Sequence, residues 1–507
     1  MSRINTNVQS LLAQRVLGQN NLDLNQSLER LSTGLRINRG KDDPAGLIAS
    51  ENLKAEITSL NSAIGNAQRA DQVVNIAEGG LQETSNLLSE LQGLLTASSS
   101  DAGLSREEKE ANQLQVDSIL QTIDRISSST SFQGIKLLNG NFDYQTTNVA
   151  TGVTDFQVNG AKFGGTTLDV DVVVTQSAQQ AGVFLSFGGT AIDLTAGSTF
   201  SLEVVGSLGS REISFASGTT LTDVAAAINT FSDITGIDAA VSGTGIRLDS
   251  TLFGSQEFVS VRNTSESNVT LAGAGLYQLN AGDSDVADTA QNTTFANLIN
   301  TVRDEGQDVG GFVNGIAATG QGRVLNVNSD FLDVSITLSS NTADTLNVKE
   351  LNAGAAFTIT GGGADFQLSP QVDIGGQVSI GIQDIATRKL GNSTLGFLDE
   401  LGNGKRFNVV DDGNDLNSAQ KVVSEAINTI AGTRGRLGAF QKNVVGATIR
   451  SLGVALENTS AANSIIRDAD FAAETANLTR NQILSQAAQN SLALANQQPQ
   501  SALQLLG

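Results

Sequence analysis

The stretch from Leu53 to Leu95, LKAEITSLNSAIGNAQRADQVVNIAEGGLQETSNLLSELQGLL, decides the fold. Positions 53, 60, 67, 74, 81, 88 and 95 are Leu, Leu, Ala, Val, Leu, Leu and Leu, an apolar residue at every seventh place. On a helix of ~3.6 residues per turn such a row lies along one face and requires a partner. The companion row begins at Ile57 and Ile64 and fails at Asp71 and Glu78. A two-stranded zipper needs both rows, so this helix is expected in a bundle. Lys41-Asp42-Asp43-Pro44 marks its start, because Asp caps a helix and Pro suits the first turn. A helix over 45–97 would be roughly 80 Å long at ~1.5 Å per residue. Gly79-Gly80 lies inside it and should weaken it by about 1 kcal/mol per Gly relative to Ala.

Upstream, Leu17, Leu24 and Leu31 recur every seven residues, and Leu28 and Leu35 supply a second row. This helix should start at a cap near Asn5–Asn7 and stop between Gly34 and Gly40. Downstream, Ser98 to Gly103 reads as a linker. A third helix is expected from Arg106 to Ser128, with Val116, Ile119, Leu120, Ile123 and Ile126 on its apolar face. From about 130 to 400 the period changes to two, as in Leu168–Val174, Thr199–Val205 and Val334–Leu338. Asn139-Gly140, Asn159-Gly160 and Asn314-Gly315 are expected as turns. Leu221 to Phe231 reads as a helical insert. The helical period returns near 417 with Val423, Ile430, Leu437 and Val444. A last helix over 471–495 is expected to show Ala473, Ala476, Ile483, Ala487 and Leu494 as its stripe.

Neither helical end has an obvious partner within itself, so the two are expected to pair with each other. The fold class is α+β multidomain: a long antiparallel, coaxial helical bundle from both termini with a β-rich central insertion. The apolar rows at Leu24, Leu28, Leu31, Leu35, Leu53, Leu60, Val74, Leu81, Leu88, Val423, Ile430, Leu437, Val444, Ile483 and Leu494 are candidate assembly seams, shared between packing within one chain and packing between copies.

Composition narrows the chemistry. There is no Cys and no His among 507 residues, which removes thiolate nucleophiles, imidazole bases and Cys/His metal sites. Absence of Cys suits an oxidising exterior. The net charge of −22 disfavours nucleic acid and anionic membrane as partners. Residues 141–400 hold 28 acidic and 9 basic side chains, whereas residues 1–40 hold five Arg against Asp23 and Glu29. The acidic middle therefore reads as solvated. MSRINTNVQSLLAQRV lacks the apolar core of a cleaved signal, so export would need another route. No base, nucleophile or metal-ligand constellation is visible, so no enzyme, cofactor or metal is expected. The Asp42/Asp43, Asp411/Asp412 and Asp468/Asp470 pairs read as caps and turns, Gly361-Gly362-Gly363-Ala364-Asp365 lacks the repeat that calcium β-helices need, and Asn263-Thr264-Ser265 is a chance glycosylation match.

Several separated segments resemble bacterial flagellins. They are Ser27 to Asn38 (SLERLSTGLRIN), Lys41 to Leu47 (KDDPAGL), residues 66–81, Thr130 to Leu138 (TSFQGIKLL), Arg434 to Gln441 (RGRLGAFQ), Arg467 to Ala472 (RDADFA) and residues 494–499 (LANQQP). Residues 197–262 resemble a small repeat inserted in flagellins and hook-associated proteins. The resemblance implies a secreted, extracellular subunit of the flagellar filament used for swimming motility. It implies export through the flagellar type III apparatus, homopolymerisation, hook-associated and cap proteins as neighbours, and an export chaperone at the C-terminal helix. It divides the chain into 1–44 and 461–507 as paired inner-core helices, 45–140 and 401–460 as an outer helical layer, and 141–400 as a solvent-facing variable region. It points to 132–142 as the segment of the supercoil switch. The vertebrate flagellin receptor contacts a leucine that corresponds to Leu94 and an arginine whose place holds Glu90, a charge reversal. The rivals are a hook–filament junction protein, with Asp-Asp-Pro near the start as its feature, and a surface adhesin carried on a filament.

Overall fold

A computed structural model describes residues 6–100, 103–195, 198–265, 269, 274–280, 283–295, 297–298, 301–340, 355–411 and 415–504. Asp412 of the Asp411/Asp412 pair lies outside them. The chain divides into two compact units. One comprises Met1–Gln72, Phe366–Gln377 and Gly438–Gly507, and the other Val73–Asp365 and Val378–Leu437. Helices α1 (Val8–Thr33), α2 (Pro44–Ser98), α3 (Arg106–Ser129), α4 (Leu221–Asn229), α5 (Ser232–Thr235), α6 (Leu416–Ala439), α7 (Gly446–Arg467) and α8 (Phe471–Gln504) alternate with a β-rich middle, as an α+β multidomain protein requires.

In the first unit α1 begins where the Asn7 side chain accepts the Ser10 amide and ends at Gly34 in the left-handed region. The Asp43 carboxylate accepts the Gly46 amide in the first turn of α2. The Asp470 carboxylate accepts the Ala472 and Ala473 amides at the start of α8. Asp42 accepts from the amides of Arg39 and Asn38, and the Arg39 bond leads in holding its pKa below the ordinary carboxylate value. These acids therefore serve as caps and turns.

In the second unit Val74, Leu81, Leu88 and Leu95 of α2 are buried, and so are Ala77, Thr84, Leu91 and Ser98. The true companion row thus falls three residues after each heptad position, not four. It continues back through Ala63 and Ala70 in the first unit. The polar interruptions at Asp71 and Glu78 are cross-helix partners. Gln441 Nε2 donates to Asp71 at 2.8 Å within the first unit. Arg434 Nε donates to Glu78 at 2.8 Å within the second. Asn112 Nδ2 donates to Ser98 Oγ at 3.0 Å, tying α3 to the end of α2. Helix α3 starts at a complete capping box between Ser105 and Glu108 and buries Val116, Ile119, Leu120 and Ile123, but Ser127 in place of Ile126.

Gly80 is where α2 meets the hairpin of Ser131–Phe132 and Ile135–Lys136. A Cβ there would lie 2.7 Å from Leu138 Cδ1 and 2.9 Å from Thr130 Oγ1. The glycine that lowers helix propensity is the one that admits this close approach.

Among the described residues the middle holds two hydrophobic cores. A six-stranded antiparallel sheet runs in the order Val153–Ala161, Leu332–Leu338, Val324–Asn328, Ile316–Gln321, Gly310–Val313, Val172–Gln176. A second core lies among the four-stranded sheet that includes Thr199–Gly206, the five-stranded sheet that includes Gly245–Phe253, and α4. Phe187, Phe200 and Phe295 interlock at its centre, with ring centroids 5.0–5.6 Å apart. Asn314-Gly315 is a turn, with φ of +50° and +77°. Asn159-Gly160 is not. It sits inside the strand Val153–Ala161, where the pairing to Leu332–Leu338 slips by one residue. That bulge aims Asn159 at Asp333 and at Arg436 of α6, which sequence periodicity does not reveal.

Candidate assembly surface

Helices α1 and α8 run antiparallel in the first unit. Asn7 Nδ2 donates to the Ala495 carbonyl at 2.7 Å and Ser10 Oγ to Asn496 at 2.7 Å. Ser485 Oγ donates to Asn21 at 2.9 Å, and Asn481 Nδ2 to Ser27 Oγ at 3.2 Å. Arg30 faces Glu474 at 4.0 Å, and Leu35 bridges Asp468 beyond the helix ends. A polar rung therefore recurs along the whole pair.

The residues turned inward repeat by heptads. On α1 they are Ser10, Ala13, Leu17, Asn20, Leu24, Ser27 and Leu31, and on α8 Glu474, Leu478, Asn481, Ser485, Ala488, Leu492 and Ala495, all buried or half-buried. Small and polar side chains fill most of this seam, and its five leucines are only half-buried, so the seam removes less apolar area from water than a leucine-filled one would.

Beyond the inward leucines, a second set of large apolar side chains points outward. Leu28 is 46% exposed, Ile483 64% and Leu494 64%. Leu11, Leu12, Val16, Leu22 and Leu484 are exposed with them. A groove of about 470 Å³ lies along the pair, lined by Leu12, Val16, Asn20, Leu484, Ala487 and Ala495 among others. The alanines Ala473, Ala476 and Ala487 also face out. The α8 stripe expected from apolar periodicity is thus the outward face, and the inward face is a heptad series that polarity disguises. Leu24, Leu31 and Leu35 are half-buried.

Along α2, Leu53 is half-buried and Leu60, Val74, Leu81 and Leu88 are buried. Val423, Ile430 and Leu437 of α6 are buried with Ala419, Ala426 and Thr433 in the same seam. Val444 is half-buried, and Val445 takes the buried place. The cause is local. Phe440–Val445 is a π-helical turn, which spends one extra residue and moves the stripe on by one, to Val445 and Leu452. Glu90 is exposed and Leu94 half-buried on α2. Asn263 is buried, its Nδ2 donating to the Phe295 carbonyl at 3.0 Å, a poor glycan acceptor. Among the described residues no helix is long and apolar enough to cross a membrane.

Comparison with known proteins matches these parts one by one. Residues 4–143 fit the bacterial flagellin N-terminal helical region, 420–506 its C-terminal helical region, and 199–251 the flagellin hook IN motif. B-type flagellin of Pseudomonas aeruginosa is 30% identical over 99% of both chains. Flagellin of Salmonella typhimurium is 29% identical over 99% of both chains. Among solved structures, FliC from Burkholderia pseudomallei shares 12% identity over 74% of this chain and 99% of that one, with a TM-score of 0.24. With matched helical regions at both ends and full-length relatives, the chain belongs to the bacterial flagellin family.

Proposed function

We propose that this chain polymerises through the outward faces of α1 and α8. The chain is a structural subunit of the bacterial flagellar filament. The observation that supports the route is the terminal pair's division of its apolar side chains, with an inward seam of mostly small and polar residues around five half-buried leucines and a full set of large apolar side chains left exposed outside. A pair built this way gains most of its burial only when other copies cover it. A repeated contact of this kind, heterologous and not closing on itself, generates a helical polymer. Residues 1–44 and 461–507 would form the inner core, 45–140 and 401–460 the outer helical layer, and the acidic 141–400 the solvent-facing part. Cap and junction proteins at the filament ends, an export chaperone on α8, and secretion by the flagellar route complete the reading. Asp42-Asp43-Pro44 is the one feature that points to a junction protein, and the matched helical regions and full-length flagellin relatives outweigh it.

The test is removal of residues 468–507, followed by sedimentation and electron microscopy of purified protein. Full-length protein should form filaments from seeds while the truncation stays monomeric. Full-length protein that stays soluble beside seeds would sink the proposal.

A further inference from the structure

The chain contains four Asn-Gly steps, at Asn139, Asn159, Asn314 and Asn403. Such steps are chemically labile because glycine lacks a Cβ, so its backbone nitrogen can approach the preceding side chain. The nitrogen attacks the Asn Cγ, an N–C bond forms, the Cγ–Nδ2 bond breaks, and ammonia leaves with the transferred proton. Water then opens the cyclic imide at either carbonyl, giving aspartate or isoaspartate. The step needs only water, a side chain free to rotate, and room for the ring.

Three of the four sites withhold that freedom. Asn314 is held at both side-chain atoms, its Oδ1 accepting the Asp171 amide at 2.6 Å and its Nδ2 donating to the Asp169 carbonyl at 3.0 Å. Asn159 donates to Asp333 at 3.1 Å and accepts from Arg436, and a Cβ on Gly160 would sit 3.3 Å from the Ser379 carbonyl. Asn139 is half-buried, accepts the Asn141 amide at 3.3 Å, and is followed by a glycine whose Cβ position lies 3.5 Å from Asp384.

Asn403 differs in each respect. Asn403 and Gly404 are both exposed. Among the described residues the Asn403 side chain has no hydrogen-bond partner, and nothing lies within 4 Å of a Cβ built on Gly404. We propose that Asn403-Gly404 is the site at which the folded chain deamidates first. The site has a structural neighbour. The Asn403 amide donates to Asp117 of α3 at 3.0 Å, and Gln113 of α3 clips the same loop through the Leu401 carbonyl and the Val409 amide. Deamidation places a carboxylate on the residue already bonded to Asp117, and the isoaspartate product lengthens the backbone at that clip.

The experiment incubates folded full-length protein, and the same protein unfolded in urea, at mildly alkaline pH. Peptide mapping by mass spectrometry reads the four sites over time, and isoaspartate methyltransferase labelling identifies the product. In urea all four should react at similar rates. In the folded protein Asn403 should react about tenfold or more faster than the other three, since reaction there requires no local opening. Asn403→Ser should abolish the early signal and leave the order of the other three unchanged. Earlier or equal reaction at Asn139, Asn159 or Asn314 in the folded protein overturns the proposal, as does a folded chain inert at Asn403 while the urea control reacts.

Discussion

Asn481 Nδ2 donates to Ser27 Oγ across 3.2 Å, joining α8 to α1 at a heptad position where a soluble coiled coil would place two leucines. A polar pair at such a position fixes register and direction at a cost in stability. Replacing both residues by Leu should therefore raise the helicity of the isolated monomer, read by circular dichroism. It should also reduce the uniformity of filaments seen by electron microscopy, because apolar pairs tolerate slippage. Ser27→Ala alone should destabilise the pair by about 1 kcal/mol, the net worth of a typical hydrogen bond.

The outward residues should behave in the opposite way. Ile483→Asn or Leu494→Asn removes no contact that either side chain needs within one chain, since both are 64% exposed. Monomer melting should shift by no more than a surface substitution does, about ±0.5 kcal/mol. The critical concentration for seeded polymerisation, measured by sedimentation, should rise by about tenfold or more, as loss of one buried aliphatic side chain at about 1.5–3 kcal/mol predicts. A drop in monomer stability with unchanged polymerisation would place these residues in an intramolecular seam.

How much of this was legible depends on how each seam announces itself. The Leu53 to Leu95 row was visible because large aliphatic residues recur at seven, and six of its seven positions are buried. Its companion was not, since Ala63, Ala70, Ala77, Thr84 and Ser98 lack the size that marks a core position. The α1/α8 seam was hidden for the same reason at Ser10, Asn20, Ser27, Asn481 and Ser485. The shift from Val444 to Val445 could not be seen at all, because a π turn obeys no pattern in the residues that form it. Likewise Asn159-Gly160 has the composition of a turn, and only the strand paired beside it makes it a bulge.

Gly80→Ala sets two known effects against each other. Helix propensity favours alanine by about 1 kcal/mol. The added methyl would lie 2.7 Å from Leu138 and 2.9 Å from Thr130, closer than packed atoms tolerate. Overpacking costs about 1–3 kcal/mol, so the clash should win and the variant should melt earlier. Gly79→Ala, whose Cβ meets nothing within 4 Å, is the control and should melt later. Equal behaviour of the two would show that the hairpin does not press on α2.

Burial leads the causes that raise the Asp143 carboxyl above its ordinary pKa, against the Tyr144 amide bond and Lys389, which lower it. A carboxyl whose folded pKa lies above its unfolded value binds protons more tightly when folded. Its contribution to stability is full below the unfolded pKa and is lost as pH rises through the folded pKa. At neutral pH the ionised Asp143 is therefore a net cost. Asp143→Asn keeps an oxygen to accept the Tyr144 amide, now at 2.9 Å, and removes the charge. The variant should match or exceed the parent in thermal stability at pH 7. Its advantage should shrink as pH falls below the carboxylate range, where the parent acid is protonated. An Asn variant less stable than the parent at pH 7 but equal to it in acid would mean that the charge is compensated by the nearby cations, Lys389 and Arg436, more fully than burial penalises it.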